Sequence, residues 1–480
     1  MKNVIKFVLD DKIVEVDFTK HPELKPTTTV LNYLRSYPTH KGVKEGCAEG
    51  DCGACTIVLS ELCDNKLKYK TIDSCLVFLP MIHGKQLITV ENLAIKKEKE
   101  TILHPVQQMM VDTNGSQCGY CTPGIVMSLF GLYKKHNNPS REIIEDALTG
   151  NLCRCTGYQS IIEAAKKACS NNGYDHFTEK EDQIITLLNK ITENKETLLL
   201  KNKKQKYFKP FTLAEALRLR KENPDALIIN GATDVALRQT KKKELLNEII
   251  DLSSVEQLRS FSKNREYCFF GSGMTMEQVR KVAADKFLPL HEILSVFGSL
   301  QIRNLATIGG NVGSASPIGD SLPLLFAYGA KVKLVSETNE RTLGIEEFII
   351  GYRKTELRND ELITEIIIPK NENAIIKSYK VSRRKDLDIS TVSGAFRLKL
   401  DKEIVSEIIL SFGGMAATTK RAAKSEKYLI GKKWTRENIE AAMKILSDEY
   451  TPLSDARSEA TYRNTAAKNL LMKFFLDTIN

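Results

Sequence analysis

The chain has 480 residues, 42% hydrophobic and 27% charged, which is enough apolar content for about three domains at roughly 150 residues each. Its formal charge of +10 is scattered, and the local runs Lys201–Lys206 and Lys241–Lys243 are short, a pattern of solvated faces and linkers and not of a nucleic-acid surface. No apolar run approaches the roughly 18 residues of a membrane span, and the opening MKNVIKFVLDDKIVEV alternates like a strand and not like a signal peptide, so no membrane anchor is expected and the eleven cysteines read as those of a reducing, cytoplasmic protein.

Residues 1–92 carry short strand patterns at Val4–Leu9, Ile13–Asp17, Thr56–Ser60, Leu67–Ile72 and Gln86–Val90, a turn at Asp10–Asp11 and one helix near Thr29–Ser36. This is a small α+β unit. On its rim lies KEGCAEGDCGACTIV, in which Cys47, Cys52 and Cys55 follow the C-x4-C-x2-C spacing that, with a distant fourth cysteine, holds a plant-type [2Fe–2S] centre. Gly46, Gly50 and Gly53 between the thiols allow positive φ and close backbone approach, so that N–H groups can face sulfide. Cys63 and Cys75 both lie within reach as the fourth ligand. Cys75 is the better candidate, because it follows a strand and precedes apolar LVFLP, whereas Cys63 sits in the polar turn ELCDNK. Zinc would call for paired CxxC knuckles, which this group lacks.

From 93 to 170 the pattern is helical, with segments at Pro105–Asp112, Gly124–His136, Ser140–Leu148 and Tyr158–Ala168 that read as a four-helix bundle. A second thiol group, Cys118, Cys121, Cys153 and Cys155, is spaced C-x2-C then C-x-C, which by itself leaves the metal open. CGYCTPG and NLCRCTGY each place cysteines just before a helix, where N–H groups and the helix dipole favour an anionic cluster. Cys169 and Cys268 are single and read as small core residues.

Residues 171–206 are polar, with a helix near Glu181–Ile191, and read as a linker. A mixed α and β domain is expected over 207–370, with a strand Ala226–Asn230 and a helix Met276–Asp285, and a βαβ-like tail over 375–480 ending in a helix near Ala460–Leu476. Two loops of small residues, GATD at Gly231–Asp234 and TIGGNVGSASPIGD at Thr307–Asp320, could let backbone amides approach a pyrophosphate. Neither is the G-x-G-x-x-G fingerprint, and GSG at Gly271–Gly273 is too short to count.

KEGCAEGDCGACTIVLSE, QCGYCTPG, NLCRCTGY, GATD and TIGGNVGSASPIGD occur in this order along nearly the whole chain, which resembles the molybdenum hydroxylase family, in the iron–sulfur and flavin portions of its xanthine dehydrogenase branch. The resemblance implies an α+β multidomain fold: a β-grasp 2Fe–2S ferredoxin domain, a four-helix 2Fe–2S domain, and an FAD domain of the vanillyl-alcohol-oxidase type with a C-terminal α/β lobe. It implies two [2Fe–2S] clusters on the eight cysteines. It also implies FAD contacts at Ile228, Ile229, Asn230, Gly231, Ala232, Thr233, Asp234 and Val235, at Phe297, at Thr307, Ile308, Gly309, Gly310 and Asn311, and at Asp320, Ile363 and Lys380. The charged loop SRRKDLDIS, Ser382–Ser390, is expected beside the flavin, where it affects NAD access, and Gln117 is expected to contact the pterin of a partner.

By resemblance the reaction is oxidation of xanthine and hypoxanthine to urate with oxygen from water. Electrons pass from a molybdenum–pterin centre through the helical-domain cluster, the ferredoxin-type cluster and FAD to NAD. No stretch is left over for a molybdopterin-binding domain, so the substrate site, and with it every catalytic residue, is expected in a separate large subunit, in a complex that is usually a heterotetramer. Two alternatives share parts of this pattern: an aldehyde- or nicotinate-type molybdenum hydroxylase subunit, and a stand-alone electron carrier without flavin.

Overall fold

The computed structural model describes residues 3–98, 100–170, 175–371 and 373–479; expectations for residues 1, 2, 171–174 and 480 lie outside them. The chain divides into two compact units. One comprises Met1–Leu219, Asp225–Val255 and Gly298–Ala306, and the other Arg220–Pro224, Glu256–Phe297 and Thr307–Asn480.

The first unit opens with β1 (Val4–Leu9) and β2 (Lys12–Asp17), joined by Asp10 and Asp11, both at positive φ, the conformation that a two-residue hairpin turn demands. Helix α1 (Val30–Ser36) starts where the Thr29 side chain accepts from Asn32 N, and it buries Val30, Leu31, Tyr33 and Leu34. Strands β3 (Thr56–Cys63), β4 (Lys66–Asp73) and β5 (Gln86–Ile88) complete a sheet ordered β2-β1-β5-β3-β4. Only the β1–β5 pair is parallel, the arrangement of a β-grasp domain. Four helices follow: α2 (Pro105–Asp112), α3 (Thr122–Tyr133), α4 (Arg141–Leu148) and α5 (Gln159–Cys169). Helix α3 is buried from Gly124 to Tyr133 and so forms the axis of this bundle. The expected extension of α3 to His136 is absent, because the chain turns after Tyr133 and Lys134 points its ammonium at Asp175.

Within the segment expected to link domains, the described residues form helices His176–Glu179 and Glu181–Thr192 and a strand Leu198–Lys201. That strand joins Lys206–Lys209, Glu248–Asp251 and Leu227–Ile229 in a four-stranded sheet. Leu198, Leu200, Tyr207, Ile229 and Ile249 share one hydrophobic core with Ile5, Phe7, Leu31 and Leu79 of the β-grasp domain. At the ends of the two central strands, Lys209 and Asp251 form a fully buried ion pair at 2.6 Å, joined by the Tyr207 hydroxyl.

The second unit contains a five-stranded antiparallel sheet ordered Phe261–Lys263, Tyr267–Gly271, Leu362–Pro369, Lys331–Val335, Glu340–Gly344. Leu362–Pro369 alternates buried and half-buried along its whole length, the period of a strand with one face on a core. Helices Met276–Ala283, Ile308–Ser314 and Ser321–Tyr328 belong to the same unit. The expected βαβ-like tail is instead an antiparallel meander, Ile375–Val381, Val392–Asp401, Ile404–Gly413 and Lys420–Arg421 in sequential order. It is followed by helices Ala423–Leu429, Arg436–Ser447 and Ala460–Leu476. The two-residue turn after Asp401, with Lys402 at positive φ, can only join antiparallel neighbours, since a parallel pair needs a crossover of a dozen residues. Among the described residues no helix is long and apolar enough to cross a membrane.

Candidate cofactor sites

All eleven cysteines are free thiols, and strand register decides which of them meet. Cys55 immediately precedes β3, and Thr56 pairs with Asp73 at the end of β4, so Cys75 returns beside Cys55 with the sulfurs 3.4 Å apart. Cys63 lies at the opposite end of β3, about 26 Å along the strand at roughly 3.3 Å per residue, where Lys68 Nζ approaches its sulfur at 2.8 Å. The structure therefore brings Cys75, and not Cys63, to the loop thiols.

In the loop itself Cys47 and Cys52 are hydrogen-bonded through their side chains. The N–H groups of Glu49 and Asp51 point at Cys47 Sγ at 3.4 Å each. Gly50 and Gly53 are at positive φ, as is Ala48, and a side chain at Gly46 would press on the Cys52 sulfur. The S–H bond from Cys52, helped by the backbone N–H groups of Glu49 and Asp51 against the opposing effect of burial, pulls the Cys47 thiol down to about 5. Cys55, bonded to Cys75 and fully buried, is pushed well up. Asp73, buried at 3.6 Å from Cys55 Sγ, is pushed up to about 8 by burial and then by the Cys47 charge.

The second group also pairs two and two. Cys118 is hydrogen-bonded to Cys155, and both are exposed, whereas Cys121 is bonded to Cys153, which is buried. Cys121 takes the N-cap position of α3, with proline in the first turn. Burial works to raise Cys153, but the Thr156 hydroxyl and the N–H groups of Cys155 and Thr156 outweigh it and hold the thiol at about 7. Thiolates, not thiols, bind metal, and each tetrahedral iron of a [2Fe–2S] core takes two of them. Two pairs in each group fit that donor set. Among the described residues no three metal-binding side chains converge as a single ion would require.

The glycine-rich loops fall in different units. In the first, the strand Leu227–Ile229 runs into Asn230 and Gly231, where a Cβ would strike the Leu305 carbonyl oxygen. Ala232 is left-handed, and Thr233 and Asp234 lead into the helix Val235–Thr240. Lys241, read from the sequence as part of a solvated run, donates to the Cys47 carbonyl at 3.1 Å and pairs with Glu49. In the second unit Thr307 caps Ile308–Ser314, its hydroxyl accepting from Gly310 N at 3.1 Å. A Cβ at Gly309 would collide with Ser272, whereas Gly310 is exposed and meets only the Thr307 hydroxyl. The GSG dismissed as too short is thus the floor of this loop. Ile363 approaches Gly313 from the sheet, and Asn311 accepts from Ser321. Lys380 Nζ pairs with Asp320 at 2.9 Å and donates to the Val296 carbonyl beside half-buried Phe297. Ser390, the last residue of the charged loop, donates to Asp320 at 2.5 Å. The long separation of Ser272 and Ser390 from their partners hid both contacts from sequence reasoning, although Ser390 itself stands in the charged loop expected beside the flavin.

Comparison with known proteins matches residues 89–166 to a [2Fe-2S] binding domain, 202–371 to the FAD binding domain in molybdopterin dehydrogenase and 377–478 to the CO dehydrogenase flavoprotein C-terminal domain. Xanthine dehydrogenase of Emericella nidulans is 31% identical across 100% of this chain and 39% of its own length. The xanthine dehydrogenase/oxidase of Gallus gallus is 30% identical across 99% of this chain and 40% of its own. The chain therefore spans about two fifths of these relatives. Among solved structures, a carbon monoxide dehydrogenase chain from Hydrogenophaga pseudoflava, at 23% identity, covers 57% of this chain and 96% of that one with a TM-score of 0.54, a likeness of fold. The chain belongs to the molybdenum hydroxylase family, of which it carries the [2Fe–2S]-binding, FAD-binding and flavoprotein C-terminal domains.

Proposed function

We propose that the chain is the iron–sulfur and FAD subunit of a xanthine dehydrogenase, passing electrons from a molybdopterin-bearing partner to NAD in the oxidation of xanthine and hypoxanthine to urate. The observation that carries this reading is the pairing of the eight motif thiols, Cys47 with Cys52, Cys55 with Cys75, Cys121 with Cys153 and Cys118 with Cys155. Cys47, Cys52, Cys55 and Cys75 would hold one [2Fe–2S] cluster, and Cys118, Cys121, Cys153 and Cys155 the other. When bound, clusters carry electrons singly and FAD exchanges single electrons for a hydride pair.

The chain's own residues set the environment of that chemistry. The N–H groups of Glu49 and Asp51 stabilise anionic sulfur in the first group, as Thr156 does in the second. Burial of Cys55 and Cys75 excludes water from one side of the first group. The exposed thiols Cys118 and Cys155, with exposed Gln117 beside them, offer a surface at which a partner's redox centre can approach. The glycine cradle at Gly309–Gly310 would hold FAD, with Asp320 and Lys380 of the same unit presenting a fixed ion pair to it. Eleven free thiols accord with the reducing cytoplasm, and a heterotetramer of two small and two large subunits is the proposed assembly.

Iron, acid-labile sulfide and FAD are to be measured per purified chain, followed by anaerobic titration with NADH. About four irons and one flavin per chain, bleached by NADH, support the reading. Iron without flavin favours a stand-alone carrier, and zinc overturns the reading. Activity of the chain with its co-purified molybdenum subunit on xanthine, aldehydes and nicotinate then decides the substrate.

A further inference from the structure

The lysine run Lys241–Lys243, expected from its sequence to be a solvated face or linker, is a built turn. It ends the helix Val235–Thr240 within the first unit and is fixed at several points. Lys241 and Lys242 both donate their N–H groups to the Leu237 carbonyl, at 3.0 and 3.2 Å, and Lys243 donates to the Gln239 carbonyl at 3.2 Å. Lys243 is left-handed, at φ 58°, a conformation that costs a non-glycine residue free energy and persists where the surroundings demand it. Arg238 holds Glu244 through two guanidinium nitrogens, and Gln239 Nε2 donates to the Thr27 carbonyl at 2.6 Å, which ties the helix to the β-grasp domain. Held in this way, Lys241 Nζ donates to the Cys47 carbonyl at 3.1 Å and pairs with Glu49 Oε2 at 3.3 Å. Glu49 in turn points its own N–H at Cys47 Sγ. An ammonium and a carboxylate, each a little under half exposed, thus stand as one pair beside a single motif cysteine.

The carbonyl oxygen and the sulfur of one cysteine are held within about 5 Å by covalent geometry. The ammonium therefore lies inside about 8 Å of the Cys47 sulfur, a distance that physiological salt screens only in part. A one-electron acceptor gains negative charge on reduction, so a neighbouring cation favours its reduced state and a neighbouring anion opposes it. We infer that Lys241 is a tuning residue of the Cys47, Cys52, Cys55, Cys75 group: its ammonium offsets the Glu49 carboxylate and so sets the potential at which that group takes up an electron. The inference rests on the two-cluster reading above. In the step one electron passes from a donor, which is oxidised, to the group, which is reduced; no bond forms or breaks and no proton moves. Loss of the lysine removes a cation and leaves Glu49 uncompensated, and both effects disfavour reduction. Loss of the Glu49 charge does the reverse. A mere tether would behave otherwise, since either change would loosen the same loop and move the potential the same way.

The test is a redox titration of the cofactor-loaded full chain with dithionite at low salt, each iron–sulfur EPR signal being followed separately; the signal that survives in Cys155→Ser identifies the Cys47 group. Lys241→Gln should move the reduction equilibrium of that signal about three- to ten-fold toward the oxidised form, ten-fold being about 59 mV for one electron. Glu49→Gln should move it by a similar factor toward the reduced form. Lys241→Arg keeps the charge and should stay within about two-fold of the parent, and all shifts should shrink in about 1 M salt. An unmoved potential in Lys241→Gln with both signals at full intensity overturns the inference, and so does a shift of Lys241→Gln and Glu49→Gln in one direction. Should Lys241→Gln lose the signal, Glu49→Gln decides: a shift toward the reduced form supports the inference, and no shift or the opposite shift overturns it. A parent chain without two iron–sulfur signals would instead overturn the two-cluster reading.

Discussion

Replacing Cys155 by serine removes one sulfur from an exposed pair, and EPR should then show one iron–sulfur signal where the parent shows two, with bound FAD retained. Cys63→Ser should leave iron content unchanged, because that thiol stands with Lys68 at the far end of β3. A second residue-level effect concerns acid stability. Burial, and then the charges of Lys209 and Lys6, pull His83 down to about 4, and its Nδ1 accepts from Lys6 N. The unfolded chain protonates near 6.5, so the folded state disfavours the proton. The stabilisation from this group is complete above pH 6.5, is lost as pH falls from there, and levels off below about 4, for a total of about 3 kcal/mol. His83→Gln keeps an acceptor for Lys6 N–H and should flatten this part of the curve of apparent melting temperature against pH. At this scale the cysteine sets were legible because ligand spacing is a local property of the chain. The Ser272 floor under Gly309 and the Ser390–Asp320 hydrogen bond were not, since each joins partners distant in sequence.

Neighbouring glycines in one loop should separate folding from cofactor binding. Gly309 lies under Ser272, so Gly309→Ala forces backbone atoms apart and should cost about 1–3 kcal/mol of stability, read as a lowered melting temperature. Gly310 is exposed and crowds only the Thr307 hydroxyl. Gly310→Val should therefore fold normally yet purify without flavin, measured as FAD released on denaturation; full occupancy would show that backbone approach at this position is not needed. Strands such as β1 and β4 and capped helices such as α1 and α4 were readable from the sequence to within a residue or two. The two-residue strands Ile95–Lys96 and Thr101–Ile102 are too short to show a period. The C-terminal meander was read as βαβ because apolar strands followed by helices carry no signal of strand direction, which the turn at Lys402 sets.

At the level of the molecule, apolar residues far apart in sequence merge in one core. Because Leu198, Leu200, Tyr207, Ile229 and Ile249 pack with the β-grasp residues, a fragment ending at residue 170 would retain all eight motif cysteines but expose that shared surface. It should be less soluble and melt lower than a fragment ending at 255, by light scattering and calorimetry. The return of Gly298–Ala306 to the first unit was invisible in composition or spacing, since a short re-entrant segment looks like any other loop. The contrast between the two thiol groups also bears on how the protein ages. Cys55 and Cys75 are sealed from solvent, whereas Cys118 and Cys155 are open to it, and sulfur oxidation follows access. On storage in air the outward group should corrode first, so that on the two-cluster reading preparations age to about half their iron with the sealed group the last to go.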